Sequence, residues 1–178
     1  WNAARFVLLM TEGKAIAPPG TASPHMVDRW IVSRLGHALS ATDQGFADYR
    51  FDNASAALYE FTWHEFCDWY LELAKPVLQS EDEAAAATTR RTLLTVLEAL
   101  LRALHPIMPF ITEEIWQRVA PLAAKAGPSI MLQPYPQADS ARIDHGAIAE
   151  MEWVQKFING IRNLRGEYNV SPAQTRSE

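Results

Sequence analysis

The chain has 178 residues, 48% of them hydrophobic, a length and composition typical of one packed domain with at most a short extension. The formal net charge of −5 excludes a protein that binds nucleic acid over its whole surface, so any RNA contact must be local. The single cysteine excludes an internal disulfide and fits a reducing compartment.

The most apolar run of the chain, residues 93–111, does not predict a membrane span. Glu98, Arg102 and His105 interrupt it, and charged groups are costly inside a bilayer. The first residues lack the basic and apolar regions of a secretory signal. We therefore expect a cytoplasmic protein without a membrane partner.

The first quarter of the chain predicts two helices joined by a loop. Residues 1–10 are mostly apolar and predict the last turns of a helix, and residues 12–22 predict a loop rich in glycine and proline. Ser23 is the predicted N-cap and Pro24 the first residue of a helix that ends before Gly45, its C′ residue. Its predicted inner face comprises Val27, Ile31, Leu35, Ala38 and Thr42. Asp28, Arg29, Arg34 and Asp43 are predicted mostly outside.

Residues 51–78 predict one long helix that carries many of the aromatic side chains, with Asp52 as its cap. Spacings of four and three predict one buried stripe made of Tyr59, Trp63, Phe66, Tyr70, Leu73 and Val77. The other side is largely polar, with Glu60, His64, Glu65, Asp68, Glu72 and Lys75. Phe61 and Leu71 lie among these polar residues, which suggests a second contact on that side. Pro76 is expected to weaken the last turn.

The remaining chain predicts more helices and one short extended segment. Leucines and Val96 make an apolar helix face over residues 88–105, which Pro106 and Pro109 end. Thr112 is the predicted cap of a short helix, followed by SIMLQPYP, residues 129–136, as an extended segment. The last predicted helix covers residues 149–165, and residues 166–172 a loop. The predicted fold is an all-α bundle of about five or six helices with one short extended segment.

Clusters of reactive side chains do not predict catalysis or metal binding. His64, Cys67 and Asp68 share a helix face, but no second His or Cys group completes a metal site, so Cys67 is predicted to be a small buried hydrophobe. Glu113 and Glu114 point about 100° apart and suit a helix N-terminus better than acid–base chemistry. We therefore predict no catalytic residue and no metal site.

Basic residues offer local candidates for RNA contact. Arg5 beside Phe6 could touch a phosphate while the ring stacks on a base, although composition alone favours a core Phe6 and a solvated Arg5. The pairs Arg90–Arg91 and Arg162–Arg165 are predicted to be solvated surface charges. His105 is predicted to cap or fix the loop at a helix break.

Six stretches in order resemble bacterial valyl-tRNA synthetases, which are class I enzymes, in the region after the catalytic domain. These stretches are WNAARFV (1–7), DRWIVSRL (28–35), EFTWHEFCDWYLELAKP (60–76), LLTVLEALLRALHPIMPFITEEIWQRV (93–119), SIMLQPYP (129–136) and IRNLRGEYNVSPA (161–173). DRWIVSRL is shared with the isoleucyl enzymes, whereas the third and sixth stretches resemble the valyl ones.

The resemblance implies a fragment of a longer enzyme. Residues 1–138 would form a helical anticodon-binding domain, and residues 139–178 a helix and link toward a coiled-coil arm. The parent, expected to be a monomer, would join valine to its tRNA using ATP with Mg²⁺ and would edit mischarged threonine. The catalytic and editing domains are not in this stretch, so we expect no cofactor here and tRNA for valine as the partner.

The resemblance also implies which side chains read the anticodon. Phe6 would stack on a base, with Asn2 and Arg5 beside it. Asp68 and Glu72 would accept hydrogen bonds from base amino groups, and Leu71 would pack on a base face. Two alternatives remain open: a protein-interaction scaffold that docks through exposed Phe61, Leu71 and Trp69, and the same domain of an isoleucyl enzyme.

Overall fold

A computed structural model of the protein describes residues 1–21, 23 and 25–168. Its α-helices are α1 (Asn2–Thr11), α2 (Met26–Ala47), α3 (Phe51–Glu60), α4 (Leu71–Leu78), α5 (Glu83–Leu104), α6 (Pro109–Leu122) and α7 (His145–Glu167). A π-helical segment, Phe61–Tyr70, joins α3 to α4 without a break, and we call the three together the long aromatic helix. The described residues contain no strand, so the prediction of an all-α bundle is confirmed.

Helices α2 and α5 form the centre of the bundle. Helix α2 packs against α3, the π-helical segment, α5 and α7, whereas α5 also packs against α1, α4 and α6. The predicted apolar face of α5 is confirmed, because its leucines and Val96 are buried and only Leu104, at the helix end, is partly buried. Helix α5 therefore supports both α1 and α4, which carry the side chains of interest for function.

The π-helical segment changes which side of the long aromatic helix is buried. Each N–H of a π-helix bonds to the carbonyl five residues earlier, so its turns are wider than α-helical ones. The buried side chains follow this wider turn: Leu58, Phe61, Phe66 and Tyr70 are at most 1% exposed. Phe66 lies five positions after Phe61, an interval that a face with α-helical intervals of three and four does not contain.

The predicted buried stripe is consequently wrong in its first half. Tyr59 and Trp63 are 57% and 55% exposed, whereas Phe66 and Tyr70 are buried as predicted. The last two members of the stripe are partly buried. The two exposed rings stack on each other in solvent, with centroids 6.4 Å apart and planes 4° from parallel.

Asp28 joins three parts of the chain inside the core, so its predicted place outside the bundle is wrong. Its side chain is buried and accepts hydrogen bonds from the hydroxyls of Tyr70 at 2.7 Å, Thr89 at 2.8 Å and Ser23 at 2.6 Å. Burial, and then the charge of Asp28, raise the pKa of Tyr70 well above its usual range, so this hydroxyl stays a neutral donor.

Helix α2 continues past Gly45, which is therefore not its C′ residue. The helix ends at Ala47, and a Cβ on Gly45 would lie 2.8 Å from the backbone nitrogen of Ala54. Glycine is needed here because α2 and α3 approach each other closely, not because a helix ends.

The predicted caps also lie elsewhere. His25 occupies the N-cap position of α2, and the Ser23 hydroxyl accepts the His25 N–H at 3.2 Å rather than capping the first turn. Pro24 lies outside the described residues. Arg50 holds the N-cap position of α3, so Asp52 belongs to the first turn, where it pairs with Arg50 at 2.7 Å.

Thr112 lies inside α6 and fixes the proline turn before it. The helix begins at Pro109, so the prediction of Thr112 as N-cap is wrong. Its hydroxyl donates to the Met108 carbonyl at 2.8 Å and lies 2.8 Å from Nδ1 of His105. The predicted loop-fixing role of His105 is therefore confirmed.

The predicted extended segment after α6 is instead a short 3₁₀ turn, Ile130–Leu132. No neighbouring strand offers hydrogen bonds among the described residues, so the backbone is satisfied locally. A carboxylate of α6, Glu113, accepts from the Ser129 hydroxyl at 2.8 Å and from the Ile130 N–H at 3.2 Å.

Arg90 and Arg91 are buried, contrary to the prediction that both are solvated. Arg90 donates to the carbonyl of Ala15 at 2.9 Å and pairs with Glu83, and Arg91 donates to the carbonyl of Ala17 at 2.6 Å. Burial lowers the pKa of Arg91. The two side chains fix the loop between α1 and α2 to α5, and with it the end of α1.

Helix α7 packs against α2 and buries Ala147 and Met151, but several of its large apolar side chains are open to solvent. The exposed large side chains along α7 and just after it are Trp153, Phe157, Ile161, Leu164 and Tyr168. Residues 166–167 belong to α7, and the rest of the predicted loop, from residue 169, lies outside the described residues. Within the described chain, no helix is both long and apolar enough to cross a bilayer.

Candidate functional site

Phe6 lies at the edge of the core, where α1 meets α4. Its ring is partly buried against the core, and the Nζ atom of Lys75 lies over the ring, 5.8 Å from the centroid. The same Nζ atom lies 2.6 Å from both carboxylate oxygens of Glu72. Lys75 thus contacts two predicted site residues, Phe6 and Glu72. The sequence predicts this lysine only as a member of the polar face of the long aromatic helix.

Asp68 extends this surface along the long aromatic helix. It lies four residues before Glu72, at the junction of the π-helical segment and α4, and its side chain is 53% exposed. His64 lies between two carboxylates, with Nδ1 3.4 Å from Asp68 and Nε2 3.8 Å from Glu60. We call Phe6, Asp68, Glu72 and Lys75 the reading surface. It combines a partly buried ring, the ammonium that lies over it and two exposed carboxylates.

Arg5 and Phe6 point to different sides of α1. Arg5 is exposed and lines a cavity of about 440 Å³ between α1 and α6, together with Trp1, Leu9 and Arg118. Asn2 is also exposed. Because consecutive helix residues point about 100° apart, the structure separates Arg5 from the reading surface while keeping Phe6 on it.

Leu71 is not available to a ligand, because its side chain is 7% exposed and belongs to the core. The prediction that Leu71 packs on a base face is therefore wrong. Phe61 is 1% exposed and Trp69 is only partly buried. The interaction-scaffold alternative thus loses two of its three exposed anchors.

The stacked pair Tyr59–Trp63 was missed as a surface feature. It lies on the exposed side of the long aromatic helix, and the Tyr59 ring also meets His64 edge-on with centroids 6.2 Å apart. The spacing of five between Phe61 and Phe66 is the sequence signal that could have revealed both the π-helical segment and this exposed pair.

Arg162 was expected to be simply solvated, but the structure seats it on an aromatic ring. The guanidinium carbon lies 5.2 Å from the ring centroid of Trp69, which follows Asp68 in the chain. The end of α7 therefore lies beside the long aromatic helix, which carries three members of the reading surface.

Cys67 lies next to the reading surface, one residue before Asp68. Cys67 is partly buried, and burial, followed by the charge of Asp68, raises the pKa of its thiol, which disfavours the thiolate. Among the described residues, no group of three His, Cys, Asp or Glu side chains is placed to hold a metal ion.

A comparison with protein families gives one match that covers most of the chain. Residues 28–178 match the family model described as the anticodon-binding domain of tRNA ligase. The matched range contains Asp68, Glu72, Lys75 and Arg162, whereas α1 with Phe6 lies before it.

Proposed function

Because the chain belongs to the family of tRNA-ligase anticodon-binding domains, we propose that it reads the anticodon of a valine tRNA within a valine–tRNA ligase. The observation that carries the proposal is the reading surface, where one aromatic ring, one ammonium and the carboxylate of Glu72 lie together and a second exposed carboxylate, Asp68, precedes Glu72 by four residues on the same helix. The resemblance of residues 60–76 to valyl enzymes supports the choice of valine.

The proposal includes the parent enzyme. In it, residues 1–138 form the anticodon-binding domain, and residues 139–178 lead toward a coiled-coil arm. The parent is a bacterial, cytoplasmic, monomeric ligase whose other domains bind ATP with Mg²⁺ and carry out the chemistry. This chain contributes binding and needs no cofactor of its own.

Recognition would use the unstacked bases of the anticodon loop. Such bases can stack on an aromatic ring and expose their edges to polar side chains. In the unbound chain Lys75 lies over the Phe6 ring. We infer that a base takes the place of the ammonium on the ring, while Lys75 turns toward a neighbouring phosphate.

A carboxylate can distinguish the valine anticodon from the isoleucine anticodon. The two differ in their third base, which is C for valine and U for isoleucine. Cytosine presents an amino donor where uracil presents a carbonyl acceptor. The Asp68 carboxylate accepts from the first and is repelled by the second, so it favours the valine tRNA.

Phe6→Ala tests the stacking step. Loss of one base stack costs about 1–3 kcal/mol, so we expect the variant to bind a valine anticodon stem-loop roughly 5- to 150-fold more weakly. Leu9→Ala is the matched control, because Leu9 is an exposed apolar residue of the same helix, and it should change affinity less than about twofold. Fluorescence anisotropy measures both affinities, after thermal melts have shown folded variants. Equal affinities of the two variants would show that Phe6 has only a structural role.

Asp68→Asn tests the base-reading step. An amide can donate as well as accept, so it distinguishes the two bases less well. In the variant, the ratio of affinities for the C-containing and U-containing stem-loops should fall about tenfold. Glu60→Gln is the control, since Glu60 is also an exposed carboxylate and lies on the other side of His64. The ratio of the two affinities is measured for each variant. If both substitutions leave that ratio unchanged, Asp68 does not read this base.

A further inference from the structure

Arg162 differs from most arginines of the described chain in what it contacts. Six others pair with carboxylates, namely Arg29, Arg34, Arg50, Arg90, Arg102 and Arg118. Arg162 is exposed and lies over the Trp69 ring at 5.2 Å instead. Among the described residues, no carboxylate comes within ion-pair distance of it. Its charge is therefore not neutralised by those residues.

The reading surface needs such a charge close by. It holds two carboxylates and only one ammonium, and Lys75 is already bonded to Glu72. An RNA loop brings a phosphate with every base, and this acidic surface would repel those phosphates. A cation beside the surface offsets that repulsion.

The contact with Trp69 keeps the Arg162 guanidinium ready for a ligand. A guanidinium over a ring face is held by the ring electrons, while its N–H donors stay in the plane of the group and remain free. These donors form a planar fork that matches two oxygens of a phosphate. Trp69 lies three residues before Glu72, a spacing at which two helix side chains are neighbours, so the fork lies close to the Glu72 end of the reading surface.

We propose that Arg162, seated on Trp69, binds a backbone phosphate of the tRNA next to the bases held by the reading surface. The inference rests on the proposed function for the identity of the ligand as tRNA. It adds a phosphate contact from α7, outside the residues that contact the bases. Such a contact positions the RNA and carries no base preference.

The salt dependence of binding tests this contact. Each phosphate neutralised by the protein contributes about 0.7–0.9 to the slope of log affinity against log salt. We expect Arg162→Ala to reduce the magnitude of that slope by this amount, measured on the valine anticodon stem-loop between about 50 and 200 mM salt. Lys156→Ala is the matched control: it removes one exposed positive charge from the same helix and should leave the slope unchanged.

The readouts separate this inference from the proposed function. Arg162→Ala should weaken binding to C- and U-containing stem-loops alike, whereas base preference depends on the reading surface. A slope equal to wild type in Arg162→Ala, or an equal loss in Lys156→Ala, overturns the phosphate contact even if the preference for C persists. If the wild-type chain shows no base preference but Arg162→Ala still reduces the salt slope, anticodon reading is overturned and the phosphate contact is not.

Discussion

Phe66→Ala should lower the free energy of unfolding by about 3–5 kcal/mol, the usual cost of truncating a large aromatic side chain in a packed core. The ring is fully buried within the π-helical segment, stacked between Phe61 and Tyr70 with centroids 6.5 Å and 5.9 Å away. Urea denaturation followed by circular dichroism measures the change.

Trp63→Ala provides the control for the register of the long aromatic helix. Trp63 is larger than Phe66 and lies in the same segment, but it is 55% exposed and its stacking partner is the exposed Tyr59. We expect a loss of about 1 kcal/mol or less. If Trp63→Ala were the more destabilising of the two, the α-helical stripe predicted from sequence would be right and the π-helical register wrong.

Asp28→Ala should cost about 2–5 kcal/mol in the free energy of unfolding. The substitution leaves the buried hydroxyls of Tyr70 and Thr89 without their acceptor, and each buried donor left unpaired costs roughly 1–3 kcal/mol. The same denaturation experiment gives the value.

Two other variants set the scale for Asp28→Ala. Asp52→Ala removes the same charge from an exposed pair with Arg50 and should leave stability nearly unchanged. Tyr70→Phe removes one donor but leaves Asp28 with two others, so it should cost less than Asp28→Ala. An Asp28→Ala protein as stable as Asp52→Ala would show that the network does not hold these helices together.

The fold class and the faces of the straight helices could be predicted from sequence because α-helical periodicity is local. Helix α5 is the clearest case, since its leucines recur at intervals of three and four and are buried. The same periodicity assigns the wrong face to the long aromatic helix, because it assumes 3.6 residues per turn throughout. One π-helical segment shifts the register and exposes Trp63 while burying Leu71.

Contacts between residues far apart in the chain cannot be predicted from helical periodicity. Asp28 is an isolated acidic residue in the sequence, and its partners Tyr70 and Thr89 lie 42 and 61 positions away. The seat of Arg162 on Trp69 joins residues even further apart, so neither contact leaves a periodic signal.

The candidate site could be predicted in part. Phe6 and Glu72 were both expected from the family resemblance, and Lys75 joins them in the structure. The separation of Arg5 from Phe6 follows from the 100° between neighbouring helix residues, the same rule that separates Glu113 from Glu114. The burial of Leu71 depends on the π-helical register, which a pattern based on 3.6 residues per turn misses.

The preference of the wild-type chain between two anticodon stem-loops tests the central claim most directly. The two RNAs are identical except for the third anticodon base, C in one and U in the other, and affinities are measured at one fixed salt concentration. Anticodon reading for valine predicts at least about tenfold tighter binding of the C-containing loop. Equal affinities, or tighter binding of the U-containing loop, would contradict it.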